Sequence, residues 1–260
     1  MVGKISKKIY TFLILLFLYA PIAVLIVYSF NEARTGSVWT GFTLKWYKEL
    51  FNDAQIMRAL YYTLTVAFIS AIVSTIVGTI TALGMQKLNP VSKGVLLNVN
   101  YLPVLNPDIV TGVALMSLFV FVGLDLGFLT MLLAHITFNI PYVILAVLPK
   151  IRQLPKNTLE AAMDLGATPN YAFWKVILPQ IMPGVISGLL IAFTMSIDDF
   201  VISFFNTGSG VTNLSITIYS MARRGVNPKI NALLTLMFAF VLIILLIVNR
   251  KSAKEAQNKD

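Results

Sequence analysis

Apolar residues run along this chain in blocks about as long as a bilayer is thick, and polar residues collect between them. A helix that crosses the hydrocarbon core needs about 20 mostly apolar residues. Six stretches reach that length: roughly Ile9 to Phe30, Leu60 to Met85, Val95 to Val122, Leu126 to Leu148, Ile181 to Phe205 and Ile230 to Val248. The third is interrupted by Pro103, Asn106, Pro107 and Asp108. The first is too long for the apolar region of a signal peptide, and no clear small-residue cleavage site follows it, so it reads as a retained helix. The pattern predicts an all-α membrane protein with six transmembrane helices in a single domain spanning 1–260. The longest loop on one side covers about 150–179, and a loop at about 31–57 lies on the other.

Composition agrees. Hydrophobic residues make up 57% and charged residues 12%, against about 25% charged in a soluble domain. There is no cysteine and one histidine, which excludes disulfides, thiol catalysis and zinc sites built on several His ligands. The net charge of +9 reads as a topology signal rather than as a nucleic-acid surface, because Lys and Arg gather in cytoplasmic loops. With the N-terminus inside, 13 of the 20 basic residues fall in inside segments, so both termini are expected in the cytoplasm. No G-x-x-x-x-G-K-[ST] sequence occurs, so the chain lacks that phosphate-cradling loop. If it pumps, the energy comes from a partner or from an ion gradient.

The inside loop reads Glu160-Ala161-Ala162-Met163-Asp164-Leu165-Gly166, then Thr168-Pro169, and closes on Val176-Ile177-Leu178-Pro179. Ala-rich helix formers with Glu160 in the first turn suit a short helix. Gly166 suits the left-handed residue that ends it. Thr168 can cap a second short helix with Pro169 at its first position. A helix-turn-helix on the cytoplasmic face follows, either as a plain connector or as a rigid knob for a soluble partner. The spacing resembles the EAA motif of ABC importer permeases: E-A-A, three residues, Gly, nine residues, then I-x-L-P, with Val176 in place of the usual Ile. That resemblance implies the type I (MetI-like) importer fold. It also implies a coupling helix that docks into an ATPase subunit, with Glu160, Ala161, Ala162, Asp164 and Gly166 as coupling positions.

Three acids, Asp108, Asp198 and Asp199, lie within apolar stretches that hold no Lys or Arg. An Asp at the bilayer centre costs about 2.5–3.5 kcal/mol on insertion scales, and such residues normally mark a pathway or a partner. A cavity lined by carboxylates attracts cations. Asp198 and Asp199 point about 100° apart on a regular helix, so one can face a pathway while the other caps a helix. Asp108 can equally be a cap after the Asn106-Pro107 break. Ser196-Ile197-Asp198-Asp199-Phe200, Pro107-Asp108-Ile109-Val110 and Gly41-Phe42-Thr43-Leu44-Lys45-Trp46-Tyr47 resemble segments of the spermidine/putrescine permeases, over nearly the whole chain. The resemblance implies substrate contacts at Trp46, Asp108, Ser196, Asp198 and Asp199. Trp46 can offer a cation–π face or belong to an interfacial belt with Trp39 and Tyr47. His135 can relay protons or bond between helices. Met221-Ala222-Arg223-Arg224 offers an outside surface for a binding protein.

The resemblance further implies a multi-pass chain of the bacterial inner membrane that catalyses no covalent chemistry. It would hold no cofactor, since a partner binds ATP and Mg. The implied partners are a homologous (PotB-like) permease subunit, two copies of a (PotA-like) ATPase subunit, and a periplasmic (PotD-like) polyamine-binding protein, with the lipid bilayer around them and no nucleic acid. Rival readings keep the fold with another cationic or small solute, or make the chain an ion-coupled secondary transporter with the acids as proton sites.

Overall fold

A computed structural model describes residues 2–34, 38–155, 157–225 and 228–257 of the chain; within these, side chains are described for 7–243 and for Leu246. Of the basic residues counted for topology, Lys156 and Lys259 lie outside the described residues, and the side chains of Lys4, Arg250, Lys251 and Lys254 are likewise outside them. The described residues are helical apart from connecting segments and one isolated bridge between Asn31 and Phe42. In chain order the helices are α1 (Val2–Ser29), α2 (Lys45–Phe51), α3 (Ala54–Gly84), α4 (Pro90–Leu105), α5 (Asp108–Phe121), α6 (Phe128–Gln153), α7 (Thr158–Asp164), α8 (Pro169–Ala172), α9 (Leu178–Asp198), α10 (Val201–Asn206), α11 (Leu214–Arg223) and α12 (Pro228–Gln257).

By length and hydropathy, four described stretches can cross a membrane: Lys7–Ser29, Ala54–Lys87, Phe128–Gln153 and Pro169–Asp198. A fifth is possible if α4 and α5, bent by 105°, count as one broken span. The expected third span is therefore two helices. Pro107 has no N–H and forces Asn106 into an extended conformation (φ −76°, ψ 147°), which ends α4. The fifth expected span, Ile181 to Phe205, is also not continuous. Asp199 leaves the helix (φ −61°, ψ 127°) and α10 starts two residues later. The sixth appears as an apolar stretch at Pro228–Ile243 of α12.

The chain divides into two compact units, 1–57 with 218–260, and 58–217. In the first, α12 packs on α1 and on α2. Asn31 organises the segment between α1 and α2: its Nδ2 donates to the Val38 carbonyl at 2.7 Å, and its Oδ1 accepts from the Thr40 N–H at 3.0 Å. Phe30 stacks on Phe42 with ring centres 5.4 Å apart. Lys229 reaches Glu49 at 3.6 Å and Asp53 at 3.4 Å, which ties the start of α12 to α2.

In the second unit the core lies among α3, α6 and α9, around Val143, Ile144, Val147 and Ile181. Glycines let these helices close up, since small residues permit close backbone approach. A Cβ at Gly78 would stand 2.7 Å from Val143 Cγ1, one at Gly188 3.1 Å from the same atom, and one at Gly184 2.9 Å from Lys150 Cγ. Val143 thus fills the gap that two glycines leave on two neighbouring helices.

Candidate functional site

The break between α9 and α10 carries a cluster of buried polar side chains in the second unit. Asp199 caps α10: Oδ1 accepts from the Ile202 N–H at 3.0 Å, and Oδ2 accepts from the Ser203 N–H at 2.7 Å and the Ser203 hydroxyl at 2.8 Å. Its side chain is 6% exposed and lies 3.5 Å from His135 Nε2. Burying a carboxylate is costly unless its oxygens are bonded, and this one accepts three hydrogen bonds. Ser203 Oγ also contacts His135 Nε2 at 2.9 Å and accepts from Asn213 Nδ2 at 2.8 Å. Asn213 Nδ2 donates as well to the Asp199 carbonyl at 2.9 Å, and the Ser215 hydroxyl donates to the Asp198 carbonyl at 3.3 Å.

Asp198 and Asp108 differ from Asp199. Both residues are exposed, and neither has an ion-pair partner among the described residues. Asp198 is the last residue of α9 and Asp108 the first of α5. The two helix ends are structurally linked, because α10 packs on α5. Asn206 Nδ2 donates to the Gly112 carbonyl at 3.1 Å, and a Cβ at Gly112 would meet Phe205 at 3.3 Å. The chain thus carries two exposed carboxylates at the ends of apolar helices that share a packed neighbour.

The other expected contact residues are placed differently. Ser196 is buried: its hydroxyl meets Ser70 Oγ at 3.1 Å and accepts from Asn139 Nδ2 at 2.8 Å. Trp46 stands in the first unit, 4% exposed, with its indole N–H donated to the Asn31 carbonyl at 2.7 Å. That is a packed tryptophan with a satisfied polar edge, and not one lying open at an interface. Arg223 and Arg224 are exposed and bond along their own helix, to the Tyr219 ring at 5.8 Å and the Ser220 hydroxyl at 2.8 Å.

The segment that carries Glu160-Ala161-Ala162 has the cap geometry its sequence asks for. Gly166 sits at φ +86°. The Ala167 N–H bonds the Ala162 carbonyl at 3.1 Å and the Gly166 N–H bonds the Met163 carbonyl at 2.9 Å, which is the paired bonding of a Schellman ending. Thr168 Oγ1 accepts from the Tyr171 N–H and Pro169 opens α8. The second short helix is not a free-standing arm of a hairpin, however. It continues through one π turn, Phe173–Ile177, into α9. The cause lies at Pro179, whose ring would clash with the carbonyl of Lys175 in a regular helix; a π turn there moves that carbonyl aside. Glu160, Ala161, Asp164 and Gly166 are exposed and Ala162 is half-buried. Leu165 is 90% exposed, with Tyr171 and Trp174 also out.

His135 stands out in the sequence as the one histidine, inside an apolar stretch, whereas Asn139, Ser203 and Asn213 carry no comparable mark. One signal was available: His135 and Asn139 are four residues apart in an apolar stretch, hence on one helix face, and polar groups inside a membrane mark partners. Among the described residues no cluster of three or more acidic or His side chains could hold a metal.

Residues 74–250 match the family described as binding-protein-dependent transport system inner membrane component. The chain is 38% identical over 246 residues to the spermidine/putrescine transport system permease protein PotC of Escherichia coli (strain K12), covering 95% of this chain and 93% of that one. It is 42% identical over 236 residues to the putrescine transport system permease protein PotI of the same organism, covering 88% and 84%. The fold is shared with a chain of a bacterial ABC transporter involved in the import of the acidic polysaccharide alginate, at a TM-score of 0.74 and 20% identity, over 96% of this chain and 94% of that one. The chain belongs to the binding-protein-dependent transport system inner membrane components, among the PotC- and PotI-type permeases.

Proposed function

We propose that the chain is the membrane-spanning subunit of an ATP-driven importer of polyamines, with six spans and both termini on the cytoplasmic side of a bacterial inner membrane. The observation that carries the cargo is the pair Asp108 and Asp198: exposed carboxylates at the ends of apolar helices, in stretches without Lys or Arg. Spermidine carries about three positive charges near neutral pH, since amines titrate near 10. Two fixed carboxylates suit two of its ammonium groups, and each charged hydrogen bond contributes about 1.5–3 kcal/mol. Asp108 and Asp198 make the contacts, while Asp199 and Ser196 shape the helix end that carries Asp198.

The remaining parts follow from the same reading. The chain forms one half of a pathway with a PotB-like permease, residues 1–260 acting as a single permease domain. Two PotA-like ATPase subunits supply the energy and bind the ATP and Mg. The α7 segment with Glu160, Ala161, Ala162, Asp164 and Gly166 docks on one of them, where the exposed Leu165 adds an apolar contact. A PotD-like binding protein delivers substrate from the periplasm. ATP-driven closure of the ATPase pair moves α7, and α9 transmits that motion because the π turn joins it to the loop.

The test is uptake of labelled spermidine by the reconstituted importer carrying Asp108→Asn and Asp198→Asn together. The expected result is a loss of uptake of about tenfold or more. Unchanged uptake would remove both carboxylates from the pathway.

A further inference from the structure

His135, Asp199, Ser203 and Asn213 form a closed cluster at the α9–α10 break, drawn from α6, the α9–α10 link, α10 and the segment before α11. With Asp199 ionised and His135 neutral, its bonding has one consistent assignment. The Ser203 hydroxyl has a single proton, and this goes to Asp199 Oδ2 at 2.8 Å. Ser203 Oγ must then accept from both Asn213 Nδ2 at 2.8 Å and His135 Nε2 at 2.9 Å. His135 is thereby the Nε2–H tautomer, with Nδ1 buried and without a partner among the described residues.

His135 is 1% exposed, so it cannot touch a substrate. What it holds is the place where α9 stops. The backbone of Asp199 is pinned by its own carboxylate on α10 and by Asn213 on its carbonyl. The Asp198 carbonyl is pinned by Ser215. No proline or glycine occurs from Ser196 to Phe205, so the one local fixture is the Asp199 cap of α10. The direction in which the chain leaves the helix is set by that cap together with the cluster that holds its carboxylate.

We infer that His135, acting through Ser203 and alongside Asn213, is a positioning residue that fixes the Asp199 break and thereby aims the Asp198 carboxylate at the cationic substrate. This rests on the reading of Asp198 as a substrate contact given above. A charged contact loses much of its strength when its carrier can wander, because the supporting shell sets the geometry of the contact. The partner network also makes the effects of its members interdependent.

The test is equilibrium binding of labelled spermidine to the vanadate-arrested complex of the chain with its partner permease and ATPase subunits. His135→Phe keeps the ring's bulk and removes the donor; its expected effect is binding about tenfold weaker. His135→Gln restores a donor at similar reach and recovers most of the affinity. In an Asp198→Asn background, His135→Phe adds less than about a twofold effect, because the carboxylate it aims is gone. Ser203→Ala removes the bridging hydroxyl without changing the helix backbone, and carries the same comparison if His135→Phe does not assemble. Equal weakening in both backgrounds overturns the inference, as does a Gln variant no better than the Phe one. Failure of both His135→Phe and Ser203→Ala to assemble overturns it too, since the cluster then holds the fold and not the substrate geometry. If Asp198→Asn alone leaves binding unchanged, the proposed role of Asp198 fails and the inference with it. If Asp198→Asn weakens binding while His135→Phe does not, the inference alone fails.

Discussion

Trp46 separates two jobs that an aromatic side chain near a membrane surface can do. Its ring is enclosed in the first unit and its indole N–H is given to the Asn31 carbonyl. Removing a buried tryptophan side chain costs about 3–5 kcal/mol, so Trp46→Ala should lower the amount of importer recovered and its thermal stability. Spermidine affinity per assembled complex should stay near that of the parent. A lowered affinity with normal assembly would return Trp46 to the substrate path. The acids at this scale were legible in the sequence because a carboxylate in an apolar run is costly and conspicuous. The split between them was not. Asp198 and Asp199 are identical in type, and only the partners Ser203, in the helix that Asp199 caps, and His135 and Asn213, from elsewhere in the fold, bury one while the other stays exposed. Neutral Asn and Ser carry no such cost signal, so Asn213 is not legible in the sequence and Asn139 shows only through its four-residue spacing from His135.

At the scale of elements, breaks whose cause is local could be read, and breaks whose cause is tertiary could not. Pro107 announces the end of α4, and Gly166 with Thr168-Pro169 announces the turn after α7. The break at Asp199 has only that residue's own cap as a local mark, which the sequence offers equally to Asp198, and it depends further on Asn213, fourteen positions on. The π turn before α9 has a local cause in Pro179, which turns the expected separate second helix into a continuation of α9. Gly166 yields a prediction at this scale. A side chain at φ +86° costs about 1–2 kcal/mol, so Gly166→Ala should loosen the end of α7. Substrate-dependent ATP hydrolysis by the assembled complex should fall while spermidine binding to the arrested complex is retained. Normal stimulation of hydrolysis would show that the left-handed turn is not needed for coupling.

For the whole molecule, the fold and the cargo are separate questions. A chain with the same fold, at 20% identity, belongs to a transporter of an acidic polysaccharide, so the helix arrangement alone does not choose the sign of the solute. The proposed choice of a polycation rests on Asp108 and Asp198, and the proposed energy source on the coupling loop and the missing phosphate-binding sequence. Both can be tested together by uptake of labelled spermidine into proteoliposomes holding the chain, its partner permease and the ATPase subunits, with binding protein outside and ATP on the ATPase side. The account predicts accumulation that requires ATP, the ATPase subunits and the binding protein. Accumulation driven by a proton gradient in liposomes lacking the ATPase subunits would contradict it.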